Sequence, residues 1–198
     1  MITEKSVISN ADQVLRQIEK AAEKEFLPIV GPYKGKILAE EVRKIKPRHV
    51  LEVGTLIGYS AILMGKALDE SAEIVKIAGE NILKANIPPK VKIITGDAIV
   101  VIPTLNGPFD FAFIDAEKSE YFQYLSLAED KLRKGAVVVA DNAGIFADQM
   151  RDYLDYVRNS GKYQSRYVQV DGDGLEISVK LKSLAVGRKF NIFKLTYL

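Results

Sequence analysis

The chain has 198 residues, enough for one domain with a full hydrophobic core. Its content is 47% apolar and 27% charged with a net charge of +2, which is that of an ordinary globular protein and gives no strong electrostatic case for a nucleic-acid or membrane partner. There is no cysteine, which excludes disulfides, thiolate-held zinc and a cysteine nucleophile. No apolar run approaches the ~20 residues of a membrane span, and the first residues lack a signal-peptide apolar region, so the cytoplasm is the expected compartment.

Residues 10 to 25 read as a helix, with Asn10 as N-cap, Gln13 three residues on, and Val14, Leu15, Ile18, Ala21 and Ala22 at helical spacing. Pro28 and Gly31-Pro32 break the chain. A second helix is expected over about 33 to 45, its basic side (Lys34, Lys36, Arg43, Lys44) being a solvated face. Val50 to Val53 is an apolar strand that runs into a glycine turn, and the turn opens a helix from about Gly58 to Asp69. Gly54 permits a backbone conformation closed to other residues and the close approach of a ligand. Free N–H groups at the helix start favour a partly negative ligand. The sole histidine, His49, lies at the wrong end of that strand for a site.

Residues 71 to 85 place Ile74, Ile77, Ala78, Ile82 and Ala85 on one helical face, and Pro88-Pro89 stops the run. Lys90 to Thr95 is a strand ending at Gly96-Asp97-Ala98. A short helix leads to Pro103 and the turn at Asn106-Gly107-Pro108. Phe109 to Ile114 is a buried strand ending at Asp115, and residues 118 to 133 form an amphipathic helix terminated by Gly135. Ala136 to Ala140 is the most apolar strand and ends at Asp141-Asn142. A helix over 147 to 159 follows, then a strand from Tyr163 to Val170, a turn at Asp171 to Gly174, and a hairpin partner from Leu175 to Leu181. The tail from Arg188 is basic and aromatic and is a candidate for a further strand. The pattern is that of a Rossmann-like, doubly wound, mainly parallel α/β sheet with a C-terminal antiparallel hairpin. It divides into N-terminal helices (1–46), a core (47–182) and a tail (183–198) of one domain.

Three of the strands carry acids at their carboxyl ends: Glu52, Asp115 and Asp141. Such ends lie along one edge of a parallel sheet, so Asp115, Asp141 and Asn142 can converge. Two carboxylates and an amide carbonyl make an all-oxygen donor set suited to a hard cation such as Mg²⁺. Lys118, three residues past Asp115, reaches the same place. A lysine beside a divalent cation gives up its proton more readily, which makes it a candidate general base. Helix caps and turn residues are the plain alternatives for these acids, and a surface lysine for Lys118.

Glu-Val-Gly-Thr-Leu-Ile-Gly-Tyr-Ser (52 to 60), Gly-Asp-Ala (96 to 98), Phe-Ile-Asp-Ala-Glu-Lys-Ser-Glu-Tyr (113 to 121) and Ala-Asp-Asn (140 to 142) stand in this order. Together they resemble the cation-dependent O-methyltransferases of the catechol and caffeoyl-CoA type, which use S-adenosylmethionine. The resemblance covers about residues 30 to 182, and the Gly-Asp-Gly before the last strand shares it. It implies that Glu52, Gly54, Thr55, Tyr59 and Ser60 surround the methionine end of the cofactor, and that Asp97 and Ala98 lie near its adenine. It further implies that Asp115, Asp141 and Asn142 hold the divalent metal, that Asp115 serves the cofactor side too, and that Lys118 takes the hydroxyl proton.

One departure stands out. A cofactor-binding fold of this kind expects a second strand ending in an acid about 20 residues after the glycine turn. Here Ala67 to Ser71 joins one helix almost directly to the next pattern. Either Glu73 to Ala78 is that strand, with Glu80 as the ribose acid, or the strand is missing and Asp69 is the nearest stand-in. Helical spacing favours the second reading. The expected acceptor is a hydroxylated, catechol-like small molecule. Two alternatives are a hydroxylated tRNA base, met by Lys34, Lys36, Arg43, Lys44, Lys46, Arg48 and the basic tail (Arg188, Lys189, Lys194), and an inactive nucleoside-binding relic. A homodimer covered by the N-terminal helix or the aromatic tail is a further expectation.

Overall fold

The computed structural model describes residues 9–54, 56–77, 85–87 and 90–181. Thr55, Glu80 and the tail from residue 182 lie outside the described residues.

Helix α1 spans Asn10–Ala22. Its cap is Ser9, one residue before the expected Asn10: the Ser9 side chain accepts from the Asp12 N–H at 3.2 Å. Helix α2 (Gly31–Ile45) starts at the Gly31-Pro32 break, because a proline in the first helical turn loses no hydrogen bond. Strand β1 (His49–Val53), helix α3 (Tyr59–Ala67) and strand β2 (Glu73–Ile77) follow. The expected helix over 71 to 85 is therefore corrected over Glu73–Ile77, and so is the missing second strand, while residues 78–84 lie outside the described residues. Glu73 to Ile77 pairs in parallel with β1 along all five residues. The run Ile74-Val75 and Ile77 is β-branched, so it fits a pleated strand as well as a helical face. An open edge of β1 decides between them.

Strand β3 (Lys90–Ile94), the short helix α4 (Ala98–Val101) and strand β4 (Phe109–Ile114) come next. The expected helix over 118 to 133 is a single stretch only at α5 (Tyr121–Ala128), with 3₁₀ turns on either side. Leu132 already belongs to β5 (Leu132–Ala140), which pairs with β4 across a register shift. Helix α6 (Arg151–Asn159) starts four residues later than expected, after a series of turns from Asp141. Strands β6 (Tyr163–Val170) and β7 (Asp173–Lys180) form the hairpin, so Asp173 opens a strand and does not close the turn.

The sheet has the order β3-β2-β1-β4-β5-β7-β6. Strands β1 to β5 are parallel, and β7 enters antiparallel between β5 and β6. Helices cover both faces, so β4 is buried at every position and reads as a continuous apolar run. Val50, Phe111, Phe113, Val137 and Val139 pack on the side of α1, α2 and α3, while Leu51, Val53, Ala112, Ile114 and Val138 pack on the side of α5 and α6. The strand order reverses between β1 and β4, and a crevice opens there at the carboxyl ends. Among the described residues no helix is long and apolar enough to cross a membrane.

Candidate active site at the carboxyl edge of the sheet

Backbone hydrogen bonds set the site before any side chain does. The Asp115 N–H donates to the Val53 carbonyl at 2.8 Å, and the Asp141 N–H donates to the Ile114 carbonyl at 3.0 Å. The ends of β1, β4 and β5 are thus stepped side by side. A cavity of about 660 Å³ lies over them, lined by Gly54, Tyr59, Ser60, Asp115, Lys118, Asp141 and Asn142. Its other wall is apolar and comes from segments far apart in the chain, with Phe26, Ile29, Leu56 and Ile145. That volume suits a small ligand.

Gly54 has φ +90°, and a Cβ there would stand 1.9 Å from the Asp115 carbonyl oxygen. The glycine is therefore required by the neighbouring backbone, a closer constraint than the ligand approach expected from the sequence. Gly58, φ +89°, turns the chain into α3. Glu52 is fully buried, and the Ser60 hydroxyl donates to its Oε1, so Ser60 rather than Glu52 faces the cavity. Tyr59 is among the residues that line the cavity, and its hydroxyl donates to Glu19 Oε1 of α1 at 2.5 Å.

Lys118 Nζ donates to Asp115 Oδ1 at 2.9 Å and to the Tyr121 hydroxyl at 2.8 Å. Burial, with the charges of Asp115 and Asp141, pushes the Tyr121 phenol far above its ordinary range, so it stays neutral. Burial also pushes the Asp141 carboxyl up, to about 6, and the charge of Asp115 adds to it. Lys34 and the Asn142 N–H act the other way without offsetting the two. Lys34, read from the sequence as a solvated residue, is turned inward: its Nζ lies 2.5 Å from Asp141 Oδ1 and 2.9 Å from Asp173 Oδ2. Burial alone would lower its pKa, but the two carboxylates hold it above the ordinary lysine range.

Three carboxylates (Asp115, Asp141 and Asp173) and the Asn142 carboxamide therefore meet two lysines (Lys34 and Lys118) in a partly buried place, which leaves one negative charge in excess. That chemistry fits a hard divalent cation at Asp115, Asp141 and Asn142.

Other expected positions fall outside the cavity. Asp97 caps α4, accepting from the Ile99 N–H at 2.9 Å, at the same edge of the sheet but beyond the cavity wall with Ala98. Asp69 also lies elsewhere. Its carboxylate accepts from the Ser71 N–H and hydroxyl in the turn that leads into β2, at the amino edge of the sheet beside Arg43, Lys46 and Arg48. It does not line the cavity that holds Gly54. Asp173 and the segment from Phe26 to Val30 were not singled out from the sequence, and Lys34 was read there only as a solvated or RNA-facing lysine. The Gly-Asp-Gly at the start of β7 was a local signal for Asp173 alone.

Fold and site together define a Rossmann-like methyltransferase. The profile of the O-methyltransferase family matches residues 4–159, and the chain belongs to that family. Catechol O-methyltransferase B of Danio rerio is 35% identical over 198 residues, covering 89% of this chain and 72% of the relative. Catechol O-methyltransferase of Mycobacterium tuberculosis is 33% identical over 159 residues, 72% of each chain. Among solved structures, an O-methyltransferase from Bacillus cereus in complex with SAH superposes with a TM-score of 0.74 at 26% identity, covering 90% of this chain and 93% of that one.

Proposed function

We propose that this enzyme transfers a methyl group from S-adenosylmethionine to a hydroxyl of a catechol-like small molecule, with a divalent cation, Mg²⁺ foremost, in the site. The observation that carries the reading is the convergence of Gly54, Asp115, Lys118, Asp141 and Asn142 on one cavity with an apolar wall. Relatives named catechol O-methyltransferase and a structural neighbour holding SAH support the donor and the acceptor class.

Asp115, Asp141 and Asn142 would hold the cation, which when bound stabilises negative charge on the acceptor oxygen. Lys118, in its neutral form, would take the hydroxyl proton, and the O–CH₃ bond forms as the S–CH₃ bond breaks. Asp115 and the Tyr121 hydroxyl fix the Lys118 amine in place. Gly54, Tyr59 and Ser60 would receive the methyl donor at the start of α3, and Phe26, Ile29 and Ile145 would exclude water from the acceptor ring.

Support for the RNA alternative is thinner in the structure. Lys34 is committed to Asp141 and Asp173, Lys44 to Glu41, and Arg43, Lys46 and Arg48 stand at the opposite edge of the sheet. The relic reading rested on the absence of the second strand, and β2 removes that ground.

The test is methyl transfer to a catechol with Mg²⁺, with and without chelator, in the native chain and in Lys118→Met and Asp141→Ala. General-base loss should lower turnover by about 10²-fold or more. Chelator-resistant transfer, or full activity of Asp141→Ala, would remove the cation from the mechanism.

A further inference from the structure

The loop that carries Asp141 and Asn142 out of β5 lies across the start of β7, and four donors converge there on the Asp173 carboxylate. Lys34 Nζ and Asn142 Nδ2 reach Oδ2 at 2.9 and 2.8 Å. The Gly144 and Ile145 N–H groups each reach Oδ1 at 3.1 Å. The loop is pressed onto the strand: the Ala143 N–H donates to the Gly174 carbonyl at 3.0 Å, and a Cβ on Gly144 would meet the Tyr167 hydroxyl at 2.4 Å and Asp173 Cα at 3.0 Å. Asn142 itself sits at φ +61°, a left-handed conformation that asparagine tolerates.

A carboxamide has one donating end and one accepting end. A cation needs the accepting end. With Nδ2 committed to Asp173, the Asn142 oxygen is the end left for a cation. We propose that Asp173 is a positioning residue: it sets the polarity of the Asn142 carboxamide so that its oxygen is presented to the cation site formed with Asp115 and Asp141. This rests on the cation reading of the previous subsection. All four partners of Asp173 are donors, so only a group that accepts at both ends satisfies them. In Asp173→Asn, the amide oxygen that keeps the Gly144 and Ile145 bonds leaves an NH₂ facing both Asn142 and Lys34, and Lys34 falls back on Asp141. The Asn142 carboxamide then flips and turns its own NH₂ toward the cation.

Calorimetric titration of the whole protein with Mn²⁺, without acceptor, tests this beside a parallel titration with S-adenosylmethionine. Asp173→Asn and Asp173→Ala should weaken Mn²⁺ binding about 10- to 100-fold while S-adenosylmethionine affinity stays within about twofold. The double variant Asn142→Asp/Asp173→Asn should recover most of the loss, because a carboxylate at 142 accepts from the new NH₂ and still offers an oxygen to the cation. Native Mn²⁺ affinity in Asp173→Asn overturns the proposal. So does a double variant no better than the single one, or a parallel loss of both ligands, which would mark a general disruption of the loop. A native chain that binds no Mn²⁺ overturns the cation reading and this inference with it, whereas tight native binding left unchanged by the substitutions overturns the inference alone.

Discussion

Gly54 and Asp115 touch where β1 and β4 end, and the contact leaves no volume for a side chain at residue 54. Gly54→Ala would add a Cβ against immovable backbone at a positive φ. Destabilisation of roughly 2 to 4 kcal/mol is expected from the left-handed conformation and the forced backbone shift together. Urea unfolding measures it, and a midpoint equal to that of the native chain would show that the turn has another way to relax. Glu129 gives a second prediction. Burial opposes its charge, but Lys162, Tyr156 and Tyr163 donate to it and hold its pKa below the ordinary carboxylate value. A carboxyl whose folded pKa is depressed adds stability above its unfolded pKa and loses it as the pH falls through the folded one. The melting-temperature gap between the native chain and Glu129→Gln should therefore be largest near neutral pH and shrink below pH ~4. A gap that widens in acid would contradict the assigned direction.

At the scale of elements, the hairpin β6–β7 is joined to α6 by a buried charge. Glu176 is fully buried on β7, and Arg158 of α6 reaches it with two hydrogen bonds, 2.9 Å from Nε and 2.6 Å from a terminal nitrogen. Ser165 of β6 donates to the same carboxylate at 2.6 Å. Arg158→Met leaves that carboxylate with one donor in the interior. The loss should be about 3 kcal/mol, at the low end for a broken buried pair because the Arg158 side chain is 43% exposed. Removing both charges in Arg158→Met/Glu176→Gln should cost less than the single change, and thermal unfolding of both variants decides it. The same hairpin delivers Asp173 to the active site, so the elements that stabilise the sheet edge also place a residue of the site.

Across the whole molecule, the cavity is walled by segments far apart in sequence, from Phe26 to Phe146, and a ligand there ties the N-terminal helices to the sheet. S-adenosylmethionine at 100 times its dissociation constant should add about 2.7 kcal/mol. For a chain of this size that raises the melting temperature by about 5 to 10 °C. A melting temperature that does not move at millimolar ligand would argue against a competent donor site. A further rise on adding Mg²⁺ together with a catechol is expected if the three bind in one place.

The sequence by itself determined the parallel sheet, the glycine turn and the family, because apolar periodicity and the motifs at strand ends are local properties of the chain. It also marked Asp115, Lys118, Asp141 and Asn142, since the rule that strands of one parallel sheet end at one edge needs no coordinates. It did not determine β2. Glu73 to Ile77 satisfies both the helical and the extended pattern, and only the free edge of β1 selects the strand. Nor did it separate Asp69 from the site, for an acid after a helix looks the same whether it meets the ligand edge or the opposite one. Lys34 and Asp173 were the hardest to see. One stands among exposed basic residues of α2 and the other in a turn-like Gly-Asp-Gly, and their value arises only when α2, the Asp141 loop and β7 bring an ammonium, a carboxamide and two carboxylates within hydrogen-bonding distance. Charge pairing across more than a hundred residues depends on tertiary packing, and no local pattern encodes it.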